Sequence, residues 1–175
     1  MSVMPIAAHR THPAAVAAFL IAASGAATIL GAYYFQYVLH YAPCELCLDE
    51  RIPYYVGIPL AVVIALAGLF RAPRSLLVGG LGLLIVVFVI SAALGAYHSG
   101  VEWKFWPGPA HCSGVIQNFG NAGSLLEQMN QTKLVPCDAA AWRLFGISLA
   151  GYNVLISLAL VAIAWWGIRG AKTKD

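Results

Sequence analysis

Charge is what this chain has least of. Only 10% of its 175 residues are Asp, Glu, Lys or Arg, where a water-soluble domain usually carries about 25%. With 61% of the residues hydrophobic, too little polar surface exists to clothe a soluble fold of this size, which excludes a free globule. Disorder is excluded too, because disordered segments are polar and charge-rich. No block of five or more Lys or Arg occurs, and the net charge of +3 is spread along the chain. Nucleic acid is therefore excluded as the main partner. Internal repeats, low-complexity tracts and a separate soluble segment are absent, and the length is that of one domain.

Where charge is missing altogether, the class becomes legible. No Asp, Glu, Lys or Arg occurs from Thr11 to Cys44, from Ile52 to Phe70, from Ser75 to Val101, or from Leu144 to Ile168. A bilayer core of about 30 Å needs roughly 20 apolar residues as helix. These runs predict four transmembrane helices, at about 14–38, 52–70, 76–96 and 144–168. They lack the two-residue alternation of a membrane barrel. The expected fold is all-α: an integral membrane four-helix bundle forming a single domain, 1–175. A cleaved signal peptide is the rival reading of the first run. Its apolar character continues past Ser24 and Gly25 to Tyr33, Tyr34 and Phe35, longer than a signal core, so a retained span is expected.

Four spans put both termini on one side. Six basic residues (Arg10, Arg71, Arg74, Arg169, Lys172, Lys174) fall on that side and four (Arg51, Lys104, Lys133, Arg143) on the other. The excess places both termini in the cytoplasm. The outer loops, near 39–50 and 97–143, then hold all four cysteines, Cys44, Cys47, Cys112 and Cys137. An oxidising compartment permits disulfides there. Tyr33, Tyr34, Tyr37, Tyr41, Trp103, Trp106 and Trp142 read as an outer aromatic belt, with Trp165 and Trp166 at the inner face. In the long loop, Ser124 and Glu127 have capping-box spacing, which predicts a short amphipathic helix, on the membrane surface or simply packed in the loop. Asn130-Gln131-Thr132 matches the short glycosylation pattern.

Cys44-Glu45-Leu46-Cys47 is a C-x-x-C pair behind Pro43 and just before a span. A helix start offers unpaired N–H groups and partial positive charge, both of which favour the reactive thiolate. Arg51 follows Cys47 by four residues, one turn along the same face if the helix has begun. Its guanidinium suits a thiolate and the negative charge of a reduced aromatic acceptor. A static disulfide is the bland alternative, half a metal site another. A zinc centre wants further regularly spaced Cys or His; no second C-x-x-C exists, and His40, His98 and His111 are isolated, so no metal is expected. Cys112 and Cys137, if bridged, close a loop worth roughly 3.5 kcal/mol in the chain-entropy model. Alone that is a structural role. Beside a C-x-x-C at the lipid edge, two such pairs make a relay from a soluble dithiol to a lipid-soluble acceptor.

These residues resemble the DsbB family of bacterial inner-membrane disulfide-bond formation proteins. The likeness runs over nearly the whole chain: four spans, Cys44-Glu45-Leu46-Cys47 followed by Glu50-Arg51, a Pro107-Gly108-Pro109 turn before Cys112, then Cys137 and the stretch from Trp142 to Gly146. The resemblance implies a protein disulfide oxidase that reoxidises a periplasmic DsbA-like thioredoxin-fold protein. Electrons would pass to ubiquinone or menaquinone. By motif, Cys112 would form the mixed disulfide and Cys137 resolve it. Cys44 would exchange with that pair, and Cys47 would face the quinone with Arg51 beside it. His98, early in the second loop, is a quinone-side proton donor on this reading. Glu50 is an acidic neighbour of the quinone site, as is Asp49. A monomer is expected, in the inner membrane with the cysteine loops periplasmic. Two alternatives stay open. A vitamin K epoxide reductase-like enzyme shares four helices and a C-x-x-C, but has its loop cysteines before that motif, the reverse of the order here. A non-catalytic membrane assembly factor with two structural disulfides would not need Arg51 at its spacing.

Overall fold

The computed structural model describes residues 13–109 and 133–172. Pro13, whose missing N–H costs nothing in a first helical turn, opens α1 (Pro13–Tyr33). This helix runs directly into a π-helical turn, Tyr34–Val38. His40, with a left-handed φ of 58°, then turns the chain into β1 (Tyr41–Ala42). The short α2 (Glu45–Asp49) leads through Glu50 and Arg51 into α3 (Ile52–Leu69). Another left-handed residue, Arg71, makes the tight connection to α4 (Arg74–Glu102). After β2 (Lys133–Leu134), β3 (Arg143–Leu144) and β4 (Ile147–Ser148), the last described element is α5 (Leu149–Lys172).

The four long helices close a ring in which α1 packs on α3, α3 on α4, α4 on α5 and α5 on α1. Ile21, Leu77, Leu81, Leu84, Phe88 and Leu160 fill its centre. Outward-facing Leu30, Val63, Leu76, Val86 and Leu158 are exposed, an apolar surface that suits lipid and not water. All four helices are long and apolar enough to cross a membrane. Small residues set the spacing, as they do where lipid supplies no hydrophobic push between helices. A Cβ at Gly68 would lie 2.5 Å from that of Ala15, and one at Gly167 2.5 Å from that of Ala17. Tyr54, Ser91, Asn153 and Ser157 are buried between α3, α4 and α5 and satisfy one another. The Tyr54 hydroxyl donates to Asn153 Oδ1 (2.7 Å) and Ser157 Oγ to Ser91 Oγ (2.9 Å).

Two element boundaries differ from the sequence expectation. The third helix continues to Glu102 and not to about 96, so His98, expected early in a loop, is helical. At 1.5 Å per residue, its 29 residues span about 43 Å, longer than the hydrocarbon core of a bilayer. The fourth span begins at Leu149 and not 144, because the residues before it form a hairpin. Arg143 pairs with Ser148 and Leu144 with Ile147 around Phe145-Gly146. Both turn residues have positive φ (49° and 82°), the pattern of a type I′ turn. β1 and β2 pair in parallel, Tyr41 with Lys133 and Ala42 with Leu134, which ties the segment before α2 to the segment before the hairpin. Cys112, the helix expected at Ser124 to Met129 and the Asn130 pattern lie outside the described residues.

Candidate functional site

Pro43 precedes Cys44, whose extended backbone (φ −74°, ψ 171°) makes it the N-cap of α2. The Cys44 sulfur accepts the Cys47 backbone N–H at 3.3 Å, and the two sulfurs lie 2.8 Å apart as free thiols. Cys44 is fully buried. From α4, His98 approaches with Nε2 3.8 Å from the Cys44 sulfur. Its other nitrogen, Nδ1, donates to Glu50 Oε1 at 2.6 Å, which fixes the ring. One turn further, the buried Glu102 places Oε1 4.0 Å from His98 Nε2. Its Oε2 has no hydrogen-bond partner among the described residues.

Arg51 is buried to 9% exposure, so its partner matters. That partner is neither Asp49 nor Glu50: Nη1 donates to Gln36 Oε1 at 2.6 Å, and the guanidinium lies 5.6 Å from the Tyr33 ring centre. Gln36 sits on the π-helical turn, an irregularity often found at functional sites. A cavity of about 290 Å³ joins these groups, lined by Cys44, Cys47, Arg51, His98 and Glu102 and reaching down past Thr28 and Ile156. Glu50 lines it and Asp49 does not. Cys137 is disulfide-bonded. It packs in one buried cluster with Cys44, Leu46 and Val101, brought there by the β1–β2 pairing.

Five residues singled out from the sequence, Cys44, Cys47, Glu50, Arg51 and His98, thus meet at one cavity, with Cys137 beside it. Sequence reasoning missed Gln36 and Glu102. Glu102 was accessible through its four-residue spacing from His98; Gln36, the one amide in an aromatic stretch, was the weaker signal.

The Cys44 thiol is lowered to about 5, first by the hydrogen bond from the Cys47 thiol and then by the His98 imidazole, against burial, which raises it. An ordinary thiol titrates near about 8.5. The reduced protein therefore gains stability from Cys44 that is complete above the ordinary thiol pKa and is lost as the pH falls through about 5. In metal-chelated buffer, thiolate ultraviolet absorption should persist down to about pH 5 and retreat to higher pH in His98→Ala. A midpoint near the ordinary value in the wild type would contradict the contacts with Cys47 and His98, and an unmoved midpoint in His98→Ala would contradict the second of them.

The profile of the family described as "Disulfide bond formation protein DsbB" matches residues 14–167. The chain belongs to the DsbB family. It is 28% identical over 136 residues to a disulfide bond formation protein B of Polaromonas sp. (strain JS666 / ATCC BAA-500), covering 74% of this chain and 77% of that one. A protein of the same description from Verminephrobacter eiseniae (strain EF01-2) is 27% identical over 168 residues, 89% of this chain and 88% of the other. The uncharacterized protein RP370 of Rickettsia prowazekii (strain Madrid E) is 31% identical over 132 residues, 74% and 73% of the two chains. No solved structure matches the chain significantly. DsbB membership and the four helices make this a multi-pass membrane protein of disulfide bond formation.

Proposed function

We propose that this chain is a protein-dithiol:quinone oxidoreductase of the bacterial inner membrane, with both termini cytoplasmic and its cysteine loops periplasmic. It reoxidises a DsbA-like thioredoxin-fold partner and passes the electrons to ubiquinone or menaquinone. The observation that carries the reading is the convergence of Cys44, Cys47, His98 and Arg51 on one cavity, with Cys137 packed against Cys44.

The cavity residues fit a quinone. Its two oxygens are acceptors, and Arg51 brings further N–H groups besides the one held by Gln36. A quinone, when bound, supplies the final two-electron, two-proton sink. The remaining chemistry belongs to side chains. A partner thiolate attacks Cys112 of a Cys112–Cys137 disulfide, and the partner's second thiol then releases the loop pair as a dithiol. That dithiol exchanges with a Cys44–Cys47 disulfide, one S–S bond forming for each one broken. His98, oriented by Glu50, holds or gives a proton at Nε2 beside Cys44. The energetics require such a sink. A DsbA-type disulfide has a known potential of about −120 mV, too oxidising for an ordinary thiol pool to recharge.

Expression in a bacterium lacking its own quinone-linked thiol oxidase tests the reading. The periplasmic DsbA-like protein should return from the reduced to the oxidised form, and failure by a correctly inserted protein would count against it. Arg51→Lys keeps the charge but loses the planar fork that serves Gln36 and an acceptor together. Its KM for quinone should rise several-fold while exchange with the partner stays near normal. An unchanged quinone response beside a lowered melting temperature would make Arg51 a structural residue only.

A further inference from the structure

The groups around Cys44 resemble a metal-binding shell more closely than the C-x-x-C spacing alone suggests. Sulfur, sulfur and imidazole nitrogen from Cys44, Cys47 and His98 lie within 4.8 Å of one another. Two elements contribute: α2, with Cys44 at its N-cap and Cys47 within it, and the last turns of α4. A tetrahedral zinc-type ion with bonds of about 2.0–2.3 Å separates neighbouring donors by about 3.3–3.8 Å. Cys44 Sγ to His98 Nε2, at 3.8 Å, already has that spacing. His98 Nε2 to Glu102 Oε1, at 4.0 Å, nearly has it. The sulfurs, 2.8 Å apart, must open by about 1 Å to reach a tetrahedral edge, and Glu102, outside the 4.8 Å cluster, must turn toward them.

Two further observations point the same way. Glu50 accepts from His98 Nδ1 at 2.6 Å, the carboxylate–histidine arrangement that orients a ligating imidazole and leaves its other nitrogen for the metal. Glu102 is buried on the same cavity with an oxygen that no described residue satisfies, available as a fourth ligand. We infer that the reduced Cys44–Cys47 pair, with His98 and Glu102, is a capture site for a thiophilic divalent cation of the zinc class. Binding displaces the proton of the Cys47 thiol and the proton held at His98 Nε2 beside the Cys44 thiolate, and moves no electron. Oxidation to the Cys44–Cys47 disulfide removes two of the four ligands, so the site exists only in the dithiol state. A bound ion in turn withholds both sulfurs from exchange, which makes the metal a reversible brake on turnover. The brake rests on the proposed oxidase activity. Capture does not, because it is read from the metal itself.

The test uses the full-length reduced protein in lipid nanodiscs with Cd²⁺ as probe. The wild type should bind one ion in a sulfur-to-metal charge-transfer band that vanishes when the Cys44–Cys47 pair is oxidised. His98→Ala, which keeps every thiol, should weaken binding at least tenfold, and Glu50→Gln should weaken it by about 10–100-fold through the imidazole. Equal affinity in wild type and His98→Ala would overturn the proposal, since the thiols alone would then hold the ion. X-ray absorption at the zinc edge of the wild type needs no variant. It should report two sulfurs at about 2.3 Å with nitrogen and oxygen at about 2.0–2.2 Å; a shell of three or four sulfurs would contradict the assignment. Turnover that is normal with the ion bound would remove the brake and leave the site.

Discussion

Cys47→Ser should bring quinone reduction to background while the protein still inserts and folds. The reason is chemical. The proposed exit of electrons is a Cys44–Cys47 disulfide cycle, and a serine hydroxyl cannot form it. The replacement is nearly isosteric at a partly buried position, so the melting temperature should move little. The loop pair should survive as a one-use oxidant: mixing with reduced partner gives a single burst of partner oxidation, equal to one dithiol per chain, and then nothing. Continued turnover would show that electrons bypass the C-x-x-C pair, and with it the whole cavity.

Cys137→Ala should convert a transient covalent intermediate into a trapped one. Cys137 is 1% exposed and shares its cluster with Cys44, so shortening it costs some packing but leaves the pairing strands in place. In this variant a Cys112 thiolate attacks the Cys44–Cys47 disulfide. The single thiol of a partner lacking its second cysteine then attacks Cys112 and releases Cys44. The C-x-x-C disulfide is reduced to two thiols and one Cys112–partner disulfide forms, so the electrons balance. Nothing remains to release the partner, because the Cys137 thiol is missing. The complex should accumulate on a non-reducing gel and disappear with dithiothreitol. If none forms with a well-folded variant, the second loop's disulfide is structural.

Much of this architecture was written in hydropathy. The four charge-free runs locate the helices because lipid tolerates little else, and the bundle follows. Helix ends were less legible. The reading of the third span stopped near Ala96 because Tyr97, His98 and Glu102 are polar or interfacial. The helix continues because His98 and Glu102 turn inward, His98 toward Glu50 and Cys44, where hydropathy has nothing to report. Before the fourth span the error was the opposite. Leu144 and Phe145 are apolar, yet the turn at Phe145-Gly146 spends them on a hairpin. At the site, Cys44, Cys47 and Arg51 announced themselves by local spacing. His98 was named from family likeness, and its contact with Cys44 spans 54 residues of sequence, a distance that spacing does not bridge. The partner of Arg51 was the least legible feature. Asp49 and Glu50 are adjacent in sequence, but the π-helical turn brings Gln36 to the guanidinium and leaves Glu50 to His98.

One measurement addresses the central claim directly: anaerobic mixing of the purified protein with a reduced DsbA-like partner and ubiquinone or menaquinone, following partner thiols and quinone absorption together. The account predicts the catalytic loss of one quinone for each partner dithiol oxidised. Partner oxidation that leaves the quinone untouched, or a partner that stays reduced in its presence, would contradict it.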